Sequence, residues 1–301
     1  MNGLLNIYKN AGMTSHDVVH KIRKKCGIKK VGHGGTLDPM AQGVLPICIG
    51  QATRISGFLL DKDKTYGATM TLGATTDTYD REGEVLTLRP VHVTQQQIKE
   101  ATASFLGVID QVPPMYSALK KDGKKLYEYA REGITLDIPA RKVTIHQLEV
   151  VRVDLPEVDL IVSCSKGTYI RSLIYDLGEM LGCGAHMSAL ERLQSGPFRV
   201  EDSILLNDLL EMDLEDIQKI LIPMEKALSH METVEIAEAS KKYLVNGVVL
   251  YGRNIQGTLD DRRPGELVQL LCQGVFYGVG EIFLDGNWKK IKPKFIFSKE
   301  K

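Results

Sequence analysis

Apolar and polar positions change period several times along the chain, and each change marks an element. Gly3 to Lys9 reads as a short strand. From Thr14 to Cys26 the apolar residues Val18, Val19, Ile22 and Cys26 recur at helical spacing. Thr14 and Asp17 supply a capping box and Gly27 a stop, so a helix over 14–26 is predicted. Val44 to Ile49 is an unbroken apolar run of the kind that forms a buried strand. Lys64 to Gly73 alternates, with Tyr66, Ala68, Met70 and Leu72 on one face. Thr94 to Phe105 predicts a second capped helix with Ile98, Ala101 and Phe105 inward. Val158 to Cys164 alternates again, and a helix follows through about Leu181. Residues 201–231 read as acidic helices joining two parts. From Glu232 onward the texture becomes short strands over 267–271, 275–283 and 288–297, separated by Gly-rich turns.

Composition narrows the class without choosing a function. A chain of 301 residues, 43% hydrophobic and 25% charged, suits one large and one small globular domain. No apolar run reaches membrane-spanning length and the N-terminus lacks a signal-peptide layout, so a cytoplasmic protein is expected. Five scattered cysteines with no Cys-x-x-Cys pair predict free, buried thiols. The formal net charge of zero speaks against a generic nucleic-acid binder, but it hides an asymmetry. Residues 1–60 carry eight cationic side chains against Asp17 and Asp38, a net of +6. Residues 201–240 carry eleven acidic against two basic, a net of −9. A polyanion would approach the first and avoid the second.

Chemistry concentrates in Val31-Gly32-His33-Gly34-Gly35-Thr36-Leu37-Asp38-Pro39-Met40-Ala41-Gln42-Gly43-Val44-Leu45-Pro46. Glycine lets a ligand approach the main chain, and Pro39 biases Asp38 toward an extended backbone. A lone Asp in a Gly/Pro turn is also an ordinary turn former. Arg171, in the first turn of a helix, opposes the helix dipole and calls for an anionic partner, either a carboxylate or a phosphate. His16 and His20 stand at i and i+4 with Asp17 between them, the spacing of a zincin motif, which raises a metal-dependent hydrolase as a rival. Against it, Asp17 already has a capping role and no third ligand stands at zincin spacing.

The loop GHGGTLDPMAQGVLP resembles the catalytic motif of the tRNA pseudouridine synthase B family at every fixed position. Asp63-Lys64-Thr65-Tyr66 with Leu72-Gly73-Ala74-Thr75-Thr76-Asp77-Thr78-Tyr79-Asp80 is similar to that family's second motif. Ser165-Lys166-Gly167-Thr168-Tyr169-Ile170-Arg171 is similar to its third, and Ala189 to Phe198 resembles its next segment. The resemblance covers residues 5–200. It implies an α+β catalytic domain on a mixed, mostly antiparallel sheet with flanking helices. It also implies isomerisation of uridine 55 in the tRNA T-loop to pseudouridine, with no cofactor and no metal. Asp38 is implied as nucleophile, Arg171 as its partner and Tyr66 as a stacking residue and late proton acceptor. Lys9, His33, Asp80, Tyr169 and Leu190 are implied at the substrate. His33 either fills the space vacated by the extruded base or fixes the glycine turn; Leu190 either packs on the uracil or belongs to the core.

Residues 111–142 interleave seven basic and four acidic residues with Tyr116, Tyr127 and Tyr129. That composition suits gripping an RNA loop by charge and stacking. The resemblance makes this an insertion that closes over the T-loop and is mobile without RNA. It sets a catalytic domain at 1–231 and a small β-rich domain like the PUA RNA-binding module at 232–301, where Lys289, Lys290, Lys292 and Lys294 crowd the last strand. The chain departs from the family at Asn10, where a Pro is usual. A monomer with tRNA as partner, and neither membrane nor protein partner, is expected. A non-catalytic tRNA-binding chaperone using the same cleft is the second hypothesis; it predicts RNA affinity and folding help that survive Asp38→Asn.

Overall fold

The structure, a computed structural model, describes residues 1–297. The chain forms two compact units. The larger comprises Asn6–Ile47 and Gly57–Ile217. Its frame is one mixed sheet. The strands along its main path are β1 (Gly3–Lys9), β2 (Gln42–Ile49), β3 (Lys64–Leu72), β4 (Gly107–Gln111), β5 (Arg141–Asp154), β6 (Glu157–Cys164), β7 (Ala185–Ser195) and β8 (Ile204–Leu205), and the short strands Val31–His33 and Phe198–Arg199 pair with it off that path. Their order is β8-β1-β2-β7-β3-β6-β5-β4. The run β7-β3-β6-β5-β4 is antiparallel, whereas β1–β8 and β2–β7 pair in parallel. The expected mixed, mostly antiparallel sheet is the sheet observed. In β3 the even-numbered residues Ala68, Met70 and Leu72 are buried, which puts Tyr66 on the core-facing side.

Three helices flank the sheet: α1 (Ser15–Cys26), α2 (Gln95–Ser104) and α3 (Ile170–Met180). In α1 the Thr14 hydroxyl accepts from the Asp17 amide while the Asp17 carboxylate accepts from the Thr14 amide. Gly27 closes the helix at φ 65°, a left-handed stop that glycine adopts without strain. In α3 the residues Ile170, Leu173, Ile174 and Leu177 enter the same core as Ile98 and Ala101 of α2.

Two central strands escape the sequence reading. Strand β7 carries register shifts at Met187/Ala189 and Arg192/Gln194, which break the two-residue period, and it buries an arginine. Strand β5 is interrupted similarly at Ile145/Gln147 and Val150/Arg152. One glycine is compulsory. Gly43 sits at φ 104° opposite Arg192, where a Cβ would run into the Arg192 backbone.

The smaller unit contains Met1–Leu5, Cys48–Ser56 and the chain from Gln218 onward. Its four-stranded sheet runs β9 (Thr233–Glu235), β10 (Leu267–Cys272), β11 (Val275–Asp285), β12 (Trp288–Ile296), so the β-rich texture read from 232 is present. Val234, Ile236, Leu244, Val268, Leu270 and Ile291 fill its core. Of the lysines on β12, Lys290 pairs with Asp285 and Lys294 with Glu281. All five cysteines are buried and free. Among the described residues no helix is long and apolar enough to cross a membrane.

Candidate active site

The Asp38 turn is fastened on several sides. The Ser15 hydroxyl, at the first residue of α1, accepts from the Leu37 amide at 2.8 Å and donates to the Leu37 carbonyl at 3.1 Å. The Gly12 amide donates to the Pro39 carbonyl at 2.9 Å, and the Ala41 amide closes the turn on Asp38 itself at 3.1 Å. Lys9, fully buried on β1, donates to the carbonyls of Ala41 (2.6 Å), Asn10 (3.1 Å) and Pro39 (3.2 Å). On the glycine-rich side Arg192 donates to the carbonyls of Val44 (2.7 Å), Gly35 (3.1 Å) and Thr36 (3.2 Å). The turn thus hangs between two cations that grip its main chain, and the Asp38 side chain is left 37% exposed.

That carboxylate meets Arg171, 3.0 Å from Nη2 to Oδ2. The Arg171 side chain is 6% exposed and also lies 3.3 Å from Oδ2 of Asp80, itself 7% exposed. Its remaining donors reach the carbonyls of Thr78 (3.2 Å) and Tyr116 (2.9 Å). A buried cation at a helix N-terminus would be costly alone; two carboxylates and two carbonyls offset the cost. The Asp80 position is fixed in turn. Its Oδ1 accepts from the Thr78 hydroxyl at 2.7 Å and from the Glu82 amide at 3.0 Å. The preceding Tyr79 takes φ 63° and stacks on Tyr175 at 4.1 Å.

Tyr66 faces Arg192 directly across the β3–β7 pairing, and the guanidinium charge acts on its phenol. Burial raises the Tyr66 phenol above its ordinary range, while the Arg192 charge acts against that rise. Tyr169 caps α3 with its backbone bracketed by the Gln111 amide, at 2.8 and 3.0 Å. Its phenol is also raised by burial. The His33 Nδ1 accepts from the Gly35 amide at 3.3 Å, so the ring fixes the glycine turn, and burial with the Arg192 charge lowers its pKa. Leu190 is buried in the core cluster that includes Leu37 and Ala68 and that Tyr66 packs against.

One assignment changes. Lys9 was expected at the RNA; it is instead enclosed, its ammonium spent on loop carbonyls, and burial lowers it to about 8. Asp80 is buried and serves as a second carboxylate for Arg171, on the same guanidinium as Asp38. Asp17, between His16 and His20, is committed to the cap of α1, and no group of three or more metal-ligating side chains gathers among the described residues.

Family models agree with this geometry. The model described as TruB family pseudouridylate synthase (N terminal domain) matches residues 23–170. The model described as tRNA pseudouridylate synthase B C-terminal domain matches residues 171–229. The tRNA pseudouridine synthase B of Alkaliphilus oremlandii is 47% identical over 302 residues, covering 100% of both chains. The chain belongs to the tRNA pseudouridine synthase B family. The family's enzyme from Clostridium perfringens strain SM101 is 47% identical over 290 residues, covering 93% of this chain and 95% of that one. Among solved structures, an H/ACA ribonucleoprotein bound to a substrate RNA containing 2′-deoxyuridine gives a TM-score of 0.75 at 29% identity, covering 99% of this chain and 85% of that one. The archaeal box H/ACA Nop10–Cbf5 complex gives 0.76 at 28%, covering 98% and 86%. As a tRNA pseudouridine synthase the protein is an isomerase of the pseudouridine synthase class.

Sequence reasoning missed Arg192, Ser15 and the Tyr116 carbonyl of this synthase site. A carbonyl leaves no mark on residue identity. Ser15 reads as a helix-start residue, and Arg192 reads as surface charge until the strand that buries it is known.

Proposed function

We propose that the enzyme converts uridine 55 of the tRNA T-loop to pseudouridine with Asp38 as nucleophile. The observation that carries this reading is the half-exposed Asp38 carboxylate, 3.0 Å from a guanidinium that is otherwise buried. Arg171 aims the carboxylate, as a nucleophile requires. A covalent adduct divides cleavage of the N-glycosidic bond, rotation of the base and rejoining through carbon into separate, easier steps. Tyr66 stacks on the base and takes the proton released late in the reaction. The target nucleotide leaves its stack to reach the carboxylate. In this reading His33, Leu190 and Tyr169 meet the extruded nucleotide.

The 111–142 segment grips the RNA loop. Its Lys124 lies 4.6 Å from the Tyr129 ring, and Lys125 and Arg131 lie 5.3 and 5.4 Å from that of Tyr127, the alternation of cation and aromatic that single-stranded nucleotides favour. The 232–301 part serves as a PUA-like RNA-binding domain beside the 1–231 catalytic domain, in a cytoplasmic monomer. The test is release of tritium from tRNA labelled at uracil C5, with the modified position mapped. Asp38→Asn should abolish release while leaving tRNA affinity within a few-fold. Retained turnover removes Asp38 as nucleophile; modification elsewhere in the tRNA removes the T-loop assignment.

A further inference from the structure

Arg192 is 1% exposed, and among the described residues no carboxylate contacts it. Its charge is met by three carbonyl dipoles, those of Gly35, Thr36 and Val44, and by one titratable group, the Tyr66 hydroxyl. A buried guanidinium left with dipoles alone is an expensive arrangement, and natural cores keep one where the charge has a use. Here the charge stands between the two groups the reaction needs. On one side it holds main-chain atoms of the loop that carries Asp38; on the other it faces Tyr66 directly across the β3–β7 pairing. Arg171, by contrast, has both of its carboxylates already.

We infer that Arg192 is a positioning residue that turns Tyr66 into a proton acceptor by supplying the cation against which its phenolate forms. The inference rests on the proposed role of Tyr66. In the step concerned, the new carbon–carbon bond to the sugar exists and C5 still carries its hydrogen. The C5–H bond breaks, the proton passes to the Tyr66 phenolate Oη, its electron pair forms the C5–C6 double bond, and the C6–N1 π pair of the detached base moves onto N1. N1, freed from the sugar, takes a proton from water, so nothing is oxidised or reduced. The resulting phenol returns its proton to solvent. A phenolate formed in an apolar site without a counter-ion would be strongly disfavoured. Beside Arg192 it completes an ion pair whose cationic half is already desolvated. The other groups that face the pair are Asp38 and Cys164 toward Tyr66, and Lys9, His33 and Lys64 toward Arg192. Two of these, Lys9 and Lys64, are ammonium groups that share the sign of Arg192, which strengthens the case for an anion at Tyr66.

The experiment compares the parent enzyme with Arg192→Lys, Arg192→Met and Tyr66→Phe on tRNA carrying uridine or C5-deuterated uridine, from pH 6 to 9.5. Turnover of Arg192→Met should fall about 100-fold, the scale of removing one donor from a developing anion. Its C5 deuterium isotope effect should exceed the parent's, because proton removal becomes slower than the earlier steps. Its rate should climb with pH to a higher limit than the parent's. Arg192→Lys keeps a cation and should recover part of the rate with a smaller isotope effect. Melting temperature and tRNA affinity report folding for each variant. A rate loss in Arg192→Met with isotope effect and pH profile unchanged would mean a loop prop only and overturns the inference. So does turnover within threefold of the parent. If Tyr66→Phe turns over normally with the parent's isotope effect, the reading of Tyr66 falls and takes this inference with it; an inactive Tyr66→Phe beside an unaltered Arg192 pH profile sinks the inference alone.

Discussion

Replacing Arg171 by lysine isolates the value of a forked cation. The guanidinium spans Asp38 at 3.0 Å and Asp80 at 3.3 Å and donates to two carbonyls besides. A lysine ammonium is one point and cannot sit in both places. The two carboxylates compete unequally for it. Asp80 is 7% exposed and has no water to turn to, whereas Asp38 is 37% exposed and does. The ammonium should therefore settle on Asp80 and leave Asp38 solvated but unaimed. Loss of one charge-assisted hydrogen bond at about 1.5–3 kcal/mol, with some loss of orientation, sums to about 3 kcal/mol, or roughly 100-fold in rate. Because the RNA-gripping surface is untouched, tRNA affinity should change by less than about threefold, which is under 1 kcal/mol. Tritium release under single-turnover conditions reads the first quantity and filter binding the second. A kcat within threefold of the parent, or a large affinity loss with chemistry intact, would refute the shared-guanidinium argument.

Two further outcomes follow from geometry and charge. Gly43→Ala places a methyl group against the Arg192 backbone at φ 104°, and should cost about 3 kcal/mol or more of stability; a melting temperature within two degrees or so of the parent would contradict the close β2–β7 approach. The ammonium of Lys9 is lowered by burial from 10.5 to about 8, so between those values the unfolded chain holds a proton that the folded chain has lost, and Lys9's contribution to stability improves as pH rises through that window. Measured by urea unfolding, the stability of the parent minus that of Lys9→Met should grow by about 2 kcal/mol from pH 7.5 to 9.5; a constant difference would show that Lys9 is not desolvated.

Local rules carried much of the fold. The capping box of α1, the alternation in β3 and the apolar run of β2 each announce their element because one physical period holds throughout. Strand β7 is illegible for the opposite reason. Two register shifts scramble its alternation, and its most consequential side chain, Arg192, is charged and buried. At the site, residues with distinctive chemistry in distinctive motifs (Asp38, Arg171, Tyr66) could be named from sequence. Their arrangement could not, because the Arg171 partners arrive from the 36–46 loop, the stretch after β3 and the root of the 111–142 segment, which only tertiary folding assembles. The facing of Lys9 and Asp80 was equally hidden, because sequence names a charge without saying which way it points. Burial shows their charges turned inward, toward the protein's own carbonyls and guanidinium.

The Ser15 hydroxyl joins the start of α1 to the residue before Asp38 by two hydrogen bonds. Lys21, Arg23, Lys24 and Lys25 lie farther along that same rigid rod. A phosphate chain that rested on those cations would be held at a set offset from the Asp38 carboxylate. The helix would then act as a ruler: which nucleotide arrived would depend on how many separate it from the anchored phosphate, and a loop lengthened by a single nucleotide would bring the wrong one forward.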